Sequence, residues 1–144
     1  MKCYYWVLVA FITIGATGCI LAPKSFVRIM EPTWSSVEIR PDTEYENAWR
    51  EVLDVLAKKF EVEMISKDGG YLRTSWIHTW WKAGQLTQNY RVRAIVKFSP
   101  NRDVVDIKTE AQYLQNREWI TGTDTRLLQT IKTDIMGVVG RTTR

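Results

Sequence analysis

The sequence predicts an α+β fold: an antiparallel sheet of about five strands with two helices packed on one face, in the order β-α-β-β-β-β-α. Three observations predict it. Two stretches, Tyr45 to Phe60 and Leu127 to Val139, repeat apolar residues at three- and four-residue steps, the period of an amphipathic helix. Between them, residues 90–98 and 105–113 alternate apolar and polar side chains, the period of a half-buried strand. A run of strands bracketed by two single-faced helices leaves each helix one apolar stripe to cover and the sheet one face to receive it.

The elements follow in order. "SVEIR" (36–40) places Val37 and Ile39 on one face of a first short strand. "PDTEYENAWREVLDVLAKKF" then carries Tyr45, Ala48, Trp49, Val52, Leu53, Leu56 and Phe60 on one helical stripe. Asp42 or Thr43 is expected to cap it, Thr43 and Glu46 having capping-box spacing, and Lys58 and Lys59 fall where a last turn would complement the helix dipole. "FEVEMIS" sets Phe60, Val62 and Met64 against Glu61 and Glu63, "KDGG" turns the chain, and "YLRTSWI" is extended again. "NYRVRAIVKF" directs Tyr90, Val92, Ala94, Val96 and Phe98 inward, "SPNRD" turns, and Val105, Ile107, Thr109, Ala111 and Tyr113 face the same way on the return. The closing helix runs through Leu127, Leu128, Ile131, Ile135, Val138 and Val139, with Thr123 or Asp124 as its cap and Gly140 at its end.

One folded domain accounts for the length of 144 residues. The net charge of +4 comes from bases interspersed with acids, the pattern of a solvated surface, and no nucleic-acid footprint is present. The two cysteines are Cys3 and Cys19, so the chain beyond them can form neither an internal disulfide nor a thiolate metal site. No metal and no cofactor is expected.

The first residues read differently from the rest. Lys2 precedes an apolar run from Tyr4 to Ile14, and small residues follow. These are the parts of a secretory signal, in which small residues give a peptidase a narrow site to grip. Ala16-Thr17-Gly18-Cys19 resembles the lipobox of bacterial lipoproteins, with Ala16 where Leu is usual. The resemblance implies cleavage before Cys19 and acylation of that cysteine, which would hold the chain to a membrane. Because Ile20 rather than Asp follows, it favours the outer membrane, facing the periplasm. Two other readings stay open: cleavage by an ordinary signal peptidase after Ala16-x-Gly18, and an uncleaved span, since no charge lies between Lys2 and Lys24. The predicted organisation is a signal peptide at 1–18, lipidated Cys19 and a proline-containing tether at 19–34 with a short extended piece near Phe26 to Met30, and one domain at 35–144.

The succession from Tyr45 to Trp76, with Ala48, Trp49, Leu53, Leu56 and Phe60 on the helix and Gly70-x-Leu72-x-Thr74-x-Trp76 after the turn, resembles the BamC-type domain. That family consists of lipoproteins with helix-grip folds attached to the machinery that inserts barrels into the outer membrane. The resemblance, over residues 36 to 140, implies a non-enzymatic interaction module with an envelope protein as partner. Known members are often longer, with two such domains.

No constellation for catalysis stands out. His78 is the one histidine, Gly69-Gly70 follows Asp68 in a turn rather than a phosphate loop, and Glu61 and Glu63 read as a solvent face. The aromatic stretch "WIHTWWKAG" presents Trp80 and Trp81, which read as cover for an open end of the sheet, an interface hot spot or a shallow membrane contact. Arg91 and Arg93, with Lys97, project from the polar face of their strand, towards an acidic partner or towards Asp106 and Glu110 of the neighbouring strand. A rival class is a ligand-binding module with an apolar pocket between the last helix and the sheet. Leu128, Ile131 and Ile135 decide between them, according to whether they fill that space.

Overall fold

A computed structural model describes residues 22–141 of the chain. Ala16, Thr17, Gly18 and Cys19 lie outside the described residues. The elements are β1 (Phe26–Arg28), β2 (Ser35–Glu38), α1 (Tyr45–Ala57), β3 (Val62–Ser66), β4 (Tyr71–Thr74), β5 (Trp81–Lys82), β6 (Gln85–Leu86), β7 (Tyr90–Phe98), β8 (Val104–Gln115), β9 (Glu118–Asp124) and α2 (Thr125–Val139). The class is α+β as predicted, with more strands: a seven-stranded antiparallel sheet in the order β1-β9-β8-β7-β4-β3, β2 added on β8, and a separate two-stranded hairpin of β5 and β6.

The long strand β8 organises the sheet. Along one edge it pairs with β7, from Tyr90 opposite Tyr113 to Phe98 opposite Val105. Its other edge is shared, β2 taking Val104 to Ile107 and β9 taking Ala111 to Gln115. Where those two strands part, backbone groups would be left bare. Buried Thr109 and Thr123 fill the gap: Thr109 Oγ1 donates to the Asp124 carbonyl at 3.0 Å and Thr123 Oγ1 donates to the Thr109 carbonyl at 3.1 Å. Such side-chain substitution for ladder bonds matters because an unpaired buried backbone group costs about as much as a lost hydrogen bond.

Both helices lie on one face. Ala48, Trp49, Val52, Val55 and Leu56 of α1 and Ile131, Ile135 and Val139 of α2 pack with Leu72, Ala94, Val96, Phe98, Val105 and Ile107 of the sheet. Phe98 is central, its ring 5.7 Å from Trp49 and in edge contact with Tyr45 at 5.3 Å. Each large side chain buried here is worth about 1.5–3 kcal/mol.

The helix ends depart from expectation in one case. Glu44 occupies the N-cap of α1 and its side chain makes no capping bond; Thr43 does not cap. The Thr43 N–H closes a turn on the Arg40 carbonyl at 3.0 Å, so the chain is still turning where a cap would have to sit. Lys58 and Lys59 fall just beyond the last turn, where Lys58 pairs with Asp54 at 2.6 Å and Lys59 bridges to Asp134 of α2. At α2 the expectation holds: Asp124 caps through its side chain and Gly140 closes the end by donating to the Met136 carbonyl.

Strand β3 carries a second correction. Its register against β4 shifts between Val62 and Met64, so Met64 faces Arg73 rather than Leu72 and is turned to the outer face. A bulge of one residue moves every following side chain to the other side, and the alternation of "FEVEMIS" cannot reveal it. Ile65 then shares the face of Leu72, yet at the edge of the sheet it stays 54% exposed.

The Gly70-x-Leu72-x-Thr74-x-Trp76 signature has a cause for each member. Gly70 has a φ of +64°, and a Cβ there would lie 3.0 Å from Phe98 Cβ and inside the Arg102 guanidinium. Leu72 is fully buried, and the Thr74 hydroxyl accepts the Ala94 N–H at 2.9 Å where β4 and β7 diverge. Trp76 reaches the outer face beneath two arginines.

Candidate functional site

The inward face of the sheet is longer than the helices that cover it. Tyr90, Val92, Ala111 and Tyr113 form a second buried cluster, packed by Ala22, Phe26, Ile77, Trp80 and Leu127. Four aromatic rings close it. Phe26 meets Tyr90 edge-on at 6.0 Å, and Trp80 meets Tyr90 at 6.4 Å and Tyr113 at 6.1 Å. The lid is thus supplied by the segment expected as tether, where β1 pairs with β9 and Ala22 and Phe26 are packed into the fold. Gly122 permits the approach, since a Cβ there would lie 2.3 Å from the Val27 carbonyl oxygen.

A buried carboxylate ties the pieces together. Asp124 Oδ1 accepts the Leu127 N–H at 2.9 Å, while Oδ2 accepts Tyr90 Oη–H at 2.6 Å and Ser25 Oγ–H at 2.9 Å. One side chain therefore caps α2, satisfies a buried phenol and fastens the N-terminal segment. Burial, with the hydrogen bond to Asp124 second, pushes the Tyr90 phenol well above the usual tyrosine range.

That shift sets a pH response. Up to about pH 10 the phenol is protonated in both folded and unfolded chains; above it the unfolded chain releases its proton while the folded chain keeps Tyr90 neutral. The unfolded state then binds fewer protons, so stability falls as pH rises through that window. Tyr45, raised chiefly by burial, and Lys58, raised by Asp54, act in the same direction. In Tyr90→Phe the slope of unfolding free energy against pH between about 10 and 12 is expected to be shallower than in wild type. Denaturant titrations at stepped pH measure it, and an unaltered slope would contradict the assignment.

Beside this network a cleft of about 470 Å³ opens at the N-terminal end of α2, walled by Pro23, Lys24, Ser25, Thr79, Trp80, Tyr90, Asp124, Arg126, Leu127 and Thr130. The region between α2 and the sheet is occupied: Ile131 and Ile135 are fully buried there, with Leu128 packed against the same core.

Trp80 and Trp81 part company. Trp80 turns into the aromatic cluster, whereas Trp81 is 66% exposed on the β5–β6 hairpin opposite Leu86, itself 39% exposed. Ala83 and Gly84, at φ 50° and 75°, form the tight turn, with a backbone twist that suits a two-residue hairpin. The Thr87 N–H and hydroxyl both donate to the Trp80 carbonyl, at 2.8 and 3.1 Å, and close the hairpin's base.

Arg91 and Arg93 lie on the outer face in a stack of aromatic and cationic groups. The Arg91 guanidinium sits 4.3 Å from the Trp119 ring and 4.9 Å from Trp76, Arg93 sits 4.5 Å from Trp76, and Lys108 covers Trp34 at 4.9 Å. Arg93 also grips Glu110 through two nitrogens at 2.6 and 2.7 Å, and Arg91 donates to Gln112 at 2.8 Å. Each stacked cation is worth about 0.5–2 kcal/mol, so the two arginines hold the outer face as well as lining it.

His78 is half-buried, with Nδ1 2.8 Å from the Tyr90 carbonyl. A carbonyl can only accept, so that nitrogen carries the proton and the ring pins the loop to β7. Glu63 pairs with Arg73 at 3.1 Å. Among the described residues, no group of three or more His, Cys, Asp or Glu is placed to hold a metal ion, and no helix is long and apolar enough to cross a membrane. The Asp124 network and the hairpin escaped sequence reasoning. Asp124 was legible only as a cap, and a two-residue Ala-Gly loop is a faint hairpin signal beside Asn-Gly or Asp-Gly.

The chain was compared with protein-family models and with curated proteins; no family model matches it, and no curated protein does.

Proposed function

We propose that this chain is a non-enzymatic lipoprotein of the bacterial cell envelope, held to the membrane by acyl chains on Cys19, whose domain serves as an interaction module in assembly or maintenance of the outer membrane. The observation that carries this reading is Ala16-Thr17-Gly18-Cys19 directly behind an apolar run with a single preceding charge. The BamC-type resemblance of residues 36 to 140 supplies the envelope role and the envelope-protein partner. Two surfaces are offered for contact, Trp81 on the hairpin at one end of the sheet, where Trp80 turns inward, and Arg91 and Arg93 on its outer face. Two or more acyl chains would hold the domain at a bilayer, since each buried methylene contributes about 0.8 kcal/mol.

Intact mass and fatty-acid labelling test the anchor. Wild type is expected to lack residues 1–18 and to carry fatty acid at its new N-terminus; Cys19→Ala is expected to carry none and to leave the membrane fraction. Wild type that retains Met1, or begins at an unmodified cysteine, would remove the lipoprotein reading.

A further inference from the structure

We propose that the β5–β6 hairpin is a membrane-contact element, which places Trp81 and Leu86 in the interfacial layer of the bilayer that holds Cys19. The inference rests on the lipoprotein reading for the position of that bilayer and adds how the domain meets it.

The first support is distance. Ala22 is packed into the aromatic cluster together with Trp80, and Pro23 and Lys24 share the walls of one cleft with Thr79 and Trp80. Cys19 precedes Ala22 by three residues, and three residues span at most about 10 Å when fully extended. An acylated Cys19 therefore brings the bilayer against the end of the domain from which the hairpin projects.

The second is the hairpin itself. A two-stranded ribbon is marginal by itself, and this one is fastened at Trp80 and Thr87 while its tip lies outside the main sheet. Its apolar cross-strand pair, Trp81 opposite Leu86, points outward instead of into the domain. Tryptophan with a neighbouring lysine, here Lys82, is the chemistry that settles at the level of lipid headgroups, the indole ring in the boundary region and the ammonium among phosphates.

The third is charge. Residues 69–102 contain no aspartate or glutamate, nor do residues 1–30, so Lys24 and Lys82 approach an anionic surface without a nearby carboxylate on their own segments. The Asp124 carboxylate in the cleft is buried and bonded to Tyr90, Ser25 and Leu127.

The test uses the full chain, processed in cells and reconstituted into phosphatidylethanolamine–phosphatidylglycerol vesicles. With Cys3 removed and Cys19 acylated, a cysteine in place of Gln85 is the one free thiol and takes an environment-sensitive dye. Asn101→Cys, in the turn between β7 and β8 at the far end of the sheet, is the reference. The dye at Gln85→Cys is expected to shift its emission to the blue and to be quenched by lipids spin-labelled near the headgroup; the dye at Asn101→Cys is expected to do neither. Adding Trp81→Ser with Leu86→Ser should abolish both signals while the acylation read from the intact mass, after allowance for the two substitutions, and the unfolding midpoint stay as before. A Gln85 dye that emits as in water and is quenched no more than the Asn101 dye overturns the hairpin proposal, and a protein partner for Trp81 would then be the explanation. The anchor is read separately: a chain with Cys3 removed and no other substitution, taken through the same labelling, gains a dye only if Cys19 is free, an outcome that removes the lipoprotein reading whatever the hairpin does.

Discussion

Asp124→Ala is expected to lower unfolding stability by about 3–5 kcal/mol, the largest loss for any polar substitution in the domain. A helix cap alone contributes about 1 kcal/mol, and a hydrogen bond to a charged group about 1.5–3 kcal/mol. Here one carboxylate accepts the Leu127 N–H, the Tyr90 hydroxyl and the Ser25 hydroxyl. Removing it also strands the Tyr90 hydroxyl in a site where the residue is 1% exposed. Asp124→Asn keeps the volume and an oxygen for the cap but loses the charge, so it should fall between wild type and alanine. Denaturant unfolding followed by tryptophan fluorescence measures all three, and a double-mutant cycle with Tyr90→Phe isolates the shared bond. A loss below about 1 kcal/mol for Asp124→Ala would mean that the carboxylate contributes no more than an ordinary helix cap and that the bonds to Tyr90 and Ser25 add nothing.

Gly122→Val is expected to release the N-terminal segment at a cost of about 2–4 kcal/mol, from overpacking and from the lost burial of Phe26. The position is a backbone crossing: an added Cβ would stand 2.3 Å from the Val27 carbonyl oxygen and 2.6 Å from the Phe26 ring. Neither neighbour can step aside while Val27 remains paired opposite Thr123. The strand β1 must therefore leave β9, and Phe26 must leave Tyr90 and Tyr113. Hydrogen exchange should accelerate across residues 22–28, while residues 92–98 and 105–111 stay protected. If the first of those segments exchanges as slowly as in wild type, β1 is not held by contact with Gly122. In a lipidated chain the same substitution would lengthen the free tether, so the hairpin dye should lose its membrane signal together with the segment's protection.

Much of the core was legible because burial there follows a simple period. Every residue expected inward on β7 is buried, and so is every one on β8 from Val105 to Tyr113. Strict alternation leaves one way to face a core, and an error of one residue would have exposed all ten at once. The closing helix was equally legible: Asp124, one of the two residues expected, caps it and Gly140 ends it, as local chemistry suggests. Where local rules failed, a non-local partner had prevailed. The bulge at Glu63 turned Met64 outward because β4, not the pattern of β3, sets the register. Thr43 has capping-box spacing, yet the Arg40 turn uses its N–H first. β9, "EWITGTD", contains β-forming Trp119, Ile120 and Thr121, but Gly122 interrupts it and no alternation marks a buried face; it is a strand because β8 offers a free edge there and Gly122 lets β1 lie beside it.

The candidate surfaces divide along the same line. Trp80 and Trp81 are adjacent and chemically identical, and nothing in their sequence assigns one to the aromatic cluster and the other to solvent. That choice depends on Tyr90, Tyr113 and Phe26 being brought together from three separate strands. Arg91 and Arg93 were visible as outward cations, but their stacking on Trp76 and Trp119 joins residues from opposite sides of β7.

By itself the order of residues determined the fold class, the inward face of the two longest strands, the two helices and the lipobox-like segment. Each is a local pattern, read within a window of at most about twenty residues. Only the folded chain decided that residues 22–28 are part of the domain, that one buried carboxylate fastens them, and that Trp81 points away from it. The first two outcomes depend on contacts between residues about a hundred positions apart, such as Ser25 with Asp124, and the third on Trp80 meeting Tyr113 from another strand. A window that short contains no record of them, because which distant surfaces meet is settled by burial and hydrogen bonding once the sheet has closed.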